Sequence, residues 1–541
     1  MKNLLADIFE AAKKELPYLE GKPINFSIPN REEHGDYSTN IAMLLTKELK
    51  KKPRQIAQEI IDALDLNPAI VTKTEIAGPG FINFYMNKNY LANIIGIILE
   101  EKSHFGKSDK YSGKRANVEF VSANPTGPLT VGHGRNAVIG DTVSNMLEWV
   151  GYEVDREYYF NNAGRQMRVL GESVKIRCQQ LLGEEIEFPD DHYQGEYIID
   201  IAKKILAGNS NDISSLDDKL FKETAEKEIF ADIEKTLAGL NIKMKVFFNE
   251  NTLYEDGKIE GLLEQFKEKA LSYEKEGAIW LKLSELGNEQ DKVIVKSTGE
   301  PTYRLPDMAY HITKLDRKYD LIIDLFGSDH MATYPDVMAG VKSLGYDIDR
   351  IKVLIYQFVT LMQGGEVVKM STRKANFVTL DELVEEVGAD VVRYFFVMRS
   401  INTHLNFDLE LAKKQSDENP VFYLQYAHAR IASILRMTKE EKLEISLDHL
   451  NLLNHEAEVR LLKKLNSFRD DMLYAVENLE PQKVSNYLEE LAALFHRFYT
   501  ECRIIGSEKN LAEARIALVN AVKIVLANGL GLLGLSAPDR M

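Results

Sequence analysis

One short stretch, ANPTGPLTVGHGRNAVIGD at residues 123–141, places Gly132, His133, Gly134 and Asn136 at the start of a helical pattern. Gly132 and Gly134, with an alanine three residues further on, have the spacing of a dinucleotide-binding fingerprint, which places pyrophosphate at a helix N-terminus. His133 and Asn136 are foreign to that fingerprint and suit a site for the phosphates of ATP. The stretch therefore predicts a nucleotide site and leaves two kinds of nucleotide open.

The spacing upstream of this stretch favours ATP over a dinucleotide. A dinucleotide site requires the strand to run directly into the first glycine, with an acid about twenty residues on. Asp155 is a candidate acid, but the segment SANPTGPLTV separates the strand pattern NVEFV from Gly132. His133 supplies a hydrogen-bonding group where backbone N–H groups already favour phosphate. The structural alternative is that His133 is an ordinary residue near the start of a helix and binds no ligand.

A second polar segment, VVKMSTRKANF at residues 367–377, carries Lys369, Ser371 and Arg373 after the strand pattern YQFVTLM. A cationic loop suits a reaction in which negative charge develops on a leaving pyrophosphate. Alone, the segment is more typical of a solvated charge run. Together with 123–141, on the other half of one predicted sheet, it indicates ATP chemistry shared between two distant segments.

The elements that must position these segments indicate an α/β fold with a doubly wound parallel sheet. The strand pattern RANVEFVS, a helix from about 132 to 150 and the strand pattern EVDREYYFNN form a βαβ unit. DKVIVKST, YDLIIDLFGSDH and IKVLIYQFV are predicted to resume the sheet. Ligands of such sheets lie beyond the carboxyl ends of the strands.

A chain of 541 residues is too long for one core. Composition divides it into a small α/β domain at 1–108, a sheet domain at 109–404 with a charged insertion at about 165–285, and a domain at 405–541. The last shows three long stretches of helical period without a strand signal, which predicts an all-α helix bundle.

Bulk composition excludes several classes of protein. The formal charge of −16 argues against a protein that simply coats nucleic acid. The two cysteines lie far apart, which predicts no disulfide framework, no structural metal and a reducing, cytoplasmic location. The N-terminal pattern is that of an amphipathic helix, and no apolar run is expected to approach membrane-spanning length.

The two motifs together resemble the HIGH and KMSKS signatures of class I aminoacyl-tRNA synthetases. Further segments, in the right order and over nearly the whole chain, resemble the arginyl-tRNA synthetases of bacterial type. These segments are GPGFINF, VEFVSANPTGPLTVGHGRNAVIGD, REYYFNNAGRQ, PTYRLPDMAYH, VKMSTR, ENPVFYLQYAHAR and ARIALVNAVKIVLANGLGLLGLSAPDRM.

The resemblance implies a ligase with a class I Rossmann-like catalytic domain. Its substrates would be ATP with Mg²⁺, L-arginine and tRNA(Arg), and arginyl-adenylate would transfer its arginine to the 2′-hydroxyl of the terminal adenosine. The first domain would contact the tRNA elbow at the D-loop, and the C-terminal bundle would bind the anticodon. The resemblance further implies a cytoplasmic monomer without a DNA or membrane partner, in which activation of the amino acid requires bound tRNA.

The resemblance also implies roles for residues at matching positions. Those implied in catalysis are His133, Thr130, Lys369, Ser371 and Arg373. Those implied in ATP binding are Gly132, His133, Asn136, Gly327, Asp329, His330 and Met370. Those implied in arginine binding are Glu119, Ser122, Asn124, Tyr303 and Asp307, and those in tRNA binding are Phe81, Asn83, Tyr423, Tyr426 and Arg430.

Two positions depart from the family signatures. Thr130 stands where HIGH has its first histidine, and Thr372 stands where KMSKS has its second lysine. These departures prompt an alternative, a catalytically impaired synthetase-like protein that only binds RNA, against which the intact His133, Lys369 and Asp307 count. A small-molecule nucleotidyltransferase is a further alternative, although such enzymes usually lack a large helical C-terminal domain.

Several of these residues have ordinary structural alternatives. Asp307 follows Pro306 at a predicted helix start, where the helix dipole favours acids. Phe81 is better explained as a core residue of a strand, whereas Tyr423 and Tyr426 are equally explained as core residues of the bundle. The sequence leaves these alternatives open.

Overall fold

The computed structural model describes residues 2–27, 29, 31–209, 212–213, 215–328, 331–368 and 378–541. Six residues predicted to act at the site fall outside these ranges, namely Asp329, His330, Lys369, Met370, Ser371 and Arg373.

The first part of the chain is the predicted α/β unit. Its helices are α1 (Lys2–Ala12), α2 (Ile41–Leu44), α3 (Thr46–Leu49), α4 (Pro53–Ala63), α5 (Lys88–Ala92) and α6 (Ile94–Glu101), and its strands are β1 (Tyr37–Thr39), β2 (Val71–Ala77) and β3 (Phe81–Met86). β3 is the middle strand and pairs antiparallel with both neighbours. Leu5 and Phe9, one helical turn apart on α1, are fully buried, as their apolar spacing predicts.

The central part contains the predicted sheet and its crossover helices. Its strands are β4 (Arg115–Glu119), β5 (Glu153–Phe160), β6 (Val246–Asn249), β7 (Ser272–Lys275), β8 (Ala278–Leu281), β9 (Lys292–Val295), β10 (Leu321–Gly327), β11 (Ile351–Tyr356), β12 (Val359–Gln363), β13 (Glu366–Val367) and β14 (Leu405–Asp408). Its helices are α7 (Val131–Trp149), α8 (Gly164–Leu181), α9 (Glu196–Gly208), α10 (Asp218–Gly239), α11 (Asn251–Glu255), α12 (Lys258–Glu268), α13 (Arg304–Asp316), α14 (Tyr334–Ser343), α15 (Leu380–Val387) and α16 (Ala389–Val397).

Five strands form one parallel sheet in the order β11-β10-β4-β5-β6. The chain builds outward from β4 through β5 to β6, and later returns to the other side of β4 as β10 and β11. Strand order therefore reverses between β4 and β10, and the crevice beyond the carboxyl ends of these two strands is the expected ligand position.

The structure differs from the prediction in two stretches. The segment at about 165–285, predicted to be an insertion, contributes one strand to the parallel sheet, because β6 lies within this segment and forms an edge of that sheet. The strand predicted from DKVIVKST does not rejoin that sheet: β9 belongs to a separate antiparallel sheet with β7 and β8. Four-residue strands give too short a pattern to reveal which sheet they join.

The C-terminal part is a helix bundle, as predicted. After α17 (Leu409–Lys413) it consists of α18 (Pro420–Glu440), α19 (Glu456–Glu477), α20 (Pro481–Glu501) and α21 (Lys509–Leu532). Contrary to the sequence expectation, α21 is long and apolar enough by length and composition to cross a membrane. Its most apolar window is 72% buried within the protein, where α21 packs against α18 and α20, so the bundle core accounts for its composition.

One buried arginine ties the sheet domain to the bundle. Arg393 on α16 is fully buried and donates to Asp141 Oδ2 at 2.7 Å, to the Leu240 carbonyl at 2.8 Å and to the Leu533 carbonyl at 2.9 Å. A Cβ at Gly534 would lie 2.2 Å from this guanidinium, and the φ of Gly534 is +71°. Only glycine permits both the conformation and the close approach.

Candidate active site

A cavity of about 470 Å³ lies beyond the carboxyl ends of β4, β5 and β10, at the point where strand order reverses. Eight of the residues predicted from the sequence line it, namely Glu119, Ser122, Asn124, His133, Asn136, Tyr303, Asp307 and Gly327. Thr130 and Gly132 belong to the same segment of chain as His133 but do not line the cavity. A cavity of about 550 Å³ in the C-terminal bundle is lined by none of the predicted residues.

The two glycines of the first motif lie inside α7 and not in a tight turn before it. Thr130 is the N-cap, so Gly132 and Gly134 are the second and fourth residues of the helix. A Cβ at Gly134 would lie 2.4 Å from Leu380 Cδ1, so this glycine serves close packing against α15. Since β4 ends at Glu119, the dinucleotide fingerprint lacks its tight turn.

His133 is held by the N-terminus of its own helix. The Thr130 N–H donates to His133 Nδ1 at 3.1 Å, and the Thr130 hydroxyl lies 3.3 Å from the same nitrogen. Burial lowers the pKa of His133, which favours neutral imidazole. Because Nδ1 accepts a hydrogen bond, the neutral ring carries its proton on Nε2. His133 therefore offers an uncharged N–H donor at the cavity.

The chain that follows the second motif returns to the first. Thr379 forms an isolated antiparallel bridge with Thr130, and the Leu380 N–H donates to the Leu129 carbonyl at 2.8 Å. The segment that directly follows the second motif thus lies against the start of α7, which carries the first motif.

Three acidic side chains, Glu119, Glu250 and Asp307, line the cavity. Asp307 and Glu250 have no cationic side chain within ion-pair distance among the described residues. Burial, reinforced by Glu119 and Glu250, raises the pKa of Asp307 to about 7 against the effect of nearby His311. Burial also raises the pKa of Glu250, although Tyr159 Oη and Asn161 Nδ2 donate to it at 2.5 and 2.8 Å. Asp307 and Glu250, which we call the acidic wall of the cavity, therefore favour a positively charged ligand.

Asp307 is not the N-cap of its helix. It is the fourth residue of α13, whose N-cap position is occupied by Tyr303, and no side chain caps that terminus. Tyr303 is 57% exposed beside it at the cavity rim. The structural alternative for Asp307 is therefore its charge in the first turn of α13, where the helix dipole favours an acid, and not a capping hydrogen bond.

A buried charge network lies beneath the acidic wall. Lys314 is fully buried and forms ion pairs with Glu119 and, at 2.6 Å, with Asp324 Oδ1. His311 contacts Asp324 Oδ2 through Nε2 at 3.0 Å and the Asp307 carbonyl through Nδ1 at 2.7 Å. Although burial opposes its charge, Asp324 raises the pKa of His311. These two cations balance Glu119 and Asp324 and leave Asp307 and Glu250 uncompensated.

Sequence reasoning missed Glu250, Tyr159, His311 and Lys314. Glu250 directly follows β6, so the rule that functional side chains follow parallel strands would have found it had that short strand been recognised. No comparable signal marks Lys314, since a lysine on a helix is usually a solvated charge.

The residues predicted to bind RNA differ in exposure. Phe81 is 37% and Tyr426 40% exposed, whereas Tyr423 is partly buried. Arg430 lies over the Tyr499 ring at 4.9 Å and donates to its hydroxyl at 3.3 Å. Asn83 is only 2% exposed because it occupies the middle strand of its sheet, and this burial opposes its predicted contact with a base edge.

Three family profiles match the chain in sequence order. They are the arginyl tRNA synthetase N terminal domain at residues 2–86, the tRNA synthetases class I (R) catalytic domain at 94–393, and the DALR anticodon binding domain at 424–541.

Full-length relatives agree with the profiles. The arginine–tRNA ligases of Salinibacter ruber and Prosthecochloris aestuarii are each 49% identical, and each alignment covers 96% of both chains. The arginyl-tRNA synthetase structures of Thermus thermophilus and Plasmodium falciparum have the same fold, with TM-scores of 0.79 and 0.76 at 22% and 19% identity. The alignments cover 100% of this chain, and 100% and 99% of those chains.

Proposed function

The chain belongs to the arginyl-tRNA synthetase family, and on that premise we propose how its residues carry out the reaction. It is a class I arginine–tRNA ligase that uses ATP to join arginine to tRNA. No finding favours the catalytically impaired alternative that Thr130 and Thr372 suggested.

The acidic wall supports the assignment of the arginine side chain to Asp307 and Glu250. A guanidinium stays charged in any protein environment and offers a planar set of donors that matches carboxylates. Two carboxyl groups whose pKa values are raised by burial provide its partners. Tyr303 covers the guanidinium from the rim, while Glu119, Ser122 and Asn124 face the polar end of the amino acid.

ATP binds on the His133 side of the cavity, beside Gly132 and Gly327. The uncharged Nε2–H of His133 donates to the phosphate chain as the carboxylate of arginine attacks the α-phosphorus and pyrophosphate leaves. Lys369, with Ser371, Arg373 and Met370, stabilises the departing pyrophosphate, and Asp329 and His330 contact the adenosine. Thr130 acts indirectly, because its N–H fixes the ring of His133.

ATP enters as its Mg²⁺ complex, and phosphate oxygens hold the ion. This is common for Mg²⁺, which keeps several waters and seldom needs an all-protein cage. Among the described residues, no cluster of three or more His, Cys, Asp or Glu side chains is arranged to hold a metal.

Charging of tRNA(Arg) with each amino acid offered separately tests the function directly. Arginine alone is expected to accumulate on the tRNA, since the acidic wall rejects uncharged side chains, which would leave its carboxylates unpaired. Absence of arginine charging over a wide range of enzyme concentration would overturn the assignment.

Arginine use is expected to depend on pH through Asp307. The carboxyl is half protonated near pH 7 without ligand, and bound guanidinium lowers its pKa, so binding at lower pH must displace a proton. The KM for arginine should therefore rise as pH falls below about 7, by up to about tenfold per unit. Pyrophosphate exchange between pH 6 and 8, with tRNA present, measures this, and an equal KM across the range would contradict the role.

The domains at 1–108, 109–404 and 405–541 bind the tRNA elbow, catalyse the reaction and bind the anticodon, respectively. Exposed Tyr426 and the partly buried Arg430 on α18 receive unstacked bases, and the exposed Phe81 contacts the tRNA from the first domain. The protein acts as a cytoplasmic monomer.

Replacing Tyr426 with alanine is expected to raise the KM for tRNA by about tenfold or more, because loss of one base-stacking contact costs about 1–3 kcal/mol. The KM for arginine at saturating tRNA should stay unchanged. Tyr474→Ala removes a 55% exposed tyrosine from another helix of the same bundle and serves as the matched control. Equal effects of the two substitutions would exclude a specific contact at Tyr426.

A further inference from the structure

The turn that follows β4 has an unusual backbone. Val121 has a φ of +67° and Ser122 a φ of +44°, both in the left-handed region that residues with a side chain rarely adopt. Valine is β-branched, so a positive φ is a true outlier there. Strain of this kind persists only where surrounding contacts hold it, and it is concentrated at functional sites.

One side chain of α7 provides the holding contacts. Asn136, only 4% exposed, accepts the Val121 N–H through Oδ1 at 2.6 Å and donates through Nδ2 to the Leu325 carbonyl at 3.1 Å. Val121 lies just beyond β4, and Leu325 lies within β10. The amide therefore braces the strained turn against the neighbouring strand at the point where strand order reverses.

The strained turn sets the direction of the side chains on either side of it. Ser122 Oγ donates back to Glu119 Oε1 at 2.9 Å and accepts the Tyr159 N–H at 3.2 Å. Two residues later, Asn124 Oδ1 accepts the Asn161 N–H at 3.0 Å. If the backbone relaxed to a negative φ, the hydroxyl would no longer face Glu119.

We propose that Asn136 is a positioning residue for arginine and not an ATP ligand. Its amide holds the strained turn, and the turn aims the three arginine-binding side chains at 119–124 into the cavity. This role rests on the proposed arginine site. It reassigns a residue that the sequence motif placed at the nucleotide, because the amide oxygen and one amide hydrogen already bind the protein backbone.

Replacement of Asn136 with alanine in the full-length protein tests the role through tRNA-dependent pyrophosphate exchange. We expect the KM for arginine to rise about tenfold, as for loss of one buried hydrogen bond, while the KM for ATP changes less than about twofold. A rise in the KM for ATP equal to that for arginine would overturn the proposal and restore the nucleotide role.

Val121→Gly and Val121→Ala provide the matched pair that distinguishes strain from simple packing. Both remove most of the buried side chain, but only glycine adopts a φ of +67° without cost. In the Asn136→Ala background, adding Val121→Gly should lower the KM for arginine at least threefold, and adding Val121→Ala should not. Equal recovery by both, or by neither, would contradict the role of strain.

The same pair remains informative if Asn136→Ala does not fold. In the otherwise unchanged chain, glycine at 121 should give a higher melting temperature than alanine, the reverse of the usual order. A lower melting temperature for the glycine variant than for the alanine variant would overturn the proposal that the turn is strained. Failure of the unaltered protein to exchange pyrophosphate with arginine would instead reject the proposed function, so the two failures are distinguishable.

Discussion

Replacing Asp307 with asparagine is expected to lower kcat/KM for arginine by about one to two orders of magnitude, since a hydrogen bond to a charged group contributes roughly 1.5–3 kcal/mol. The loss should appear mainly in the KM for arginine, because the guanidinium is bound equally before and during the reaction. The KM for ATP should hardly change. Steady-state pyrophosphate exchange with tRNA present measures both constants.

Asp307→Asn should also change the stability of the ligand-free protein, and this change should be a gain although activity is lost. The pKa of Asp307 is raised in the folded state to about 7, so the folded protein binds more protons than the unfolded chain between about pH 4 and 7 and loses stability as pH rises through that window. Asparagine removes the buried charge. The variant should therefore melt at a higher temperature than the unaltered protein at pH 8.

Asp316→Asn is the matched control, because it changes an exposed aspartate at the other end of the same helix. It should alter neither arginine kinetics nor stability by a comparable amount. If Asp307→Asn instead lowered the melting temperature and weakened ATP and arginine use equally, the carboxylate would be serving the helix and not the substrate.

The positions of Glu119, Asn124 and Asp307 were predictable because each lies in a segment that resembles the arginyl-tRNA synthetases. Glu119 and Asn124 end or follow a strand of apolar period, and strand ends of a parallel sheet meet at one edge. Asp307 lies near the start of a helix that directly precedes another such strand. Local patterns predicted the strand ends and the helix start, whereas the resemblance was needed to assign these three side chains to one site.

Other features depend on contacts between distant segments and left no local pattern. Glu250 reaches the cavity because the four-residue β6 joins the edge of the sheet, a pairing that its own sequence does not specify. Lys314 is buried only because Glu119 and Asp324 surround it, and these lie on two different strands.

Asn136 is a residue whose position the motif predicts but whose proposed role differs from the predicted one. The resemblance put it at the ATP site, and it does line the cavity. Its amide is nevertheless occupied by Val121 and Leu325, and neither partner is predictable from residues 123–141 alone. Motif matching gives position, whereas hydrogen-bond partners decide the role.

Replacing His133 with alanine is expected to lower kcat for pyrophosphate exchange by about two to three orders of magnitude, the usual cost of losing one preorganised donor to developing negative charge. The exposed His104 provides the control, and His104→Ala should leave kcat unchanged. The KM for arginine should change little, because the acidic wall is untouched.

The protonation state of His133 decides between two versions of this role. A charged imidazolium would lose activity as pH rises through its pKa, whereas a neutral donor would not. Burial lowers the pKa of His133 and the Thr130 N–H already occupies Nδ1, so kcat should not fall between pH 6.5 and 8 on account of this residue. His133→Asn, which keeps an uncharged N–H donor, should then have a kcat at least tenfold higher than that of His133→Ala, since a hydrogen bond to a charged group contributes roughly 1.5–3 kcal/mol. A falling pH profile together with no recovery by asparagine would show that charge, not a neutral hydrogen bond, is what the phosphate chain requires.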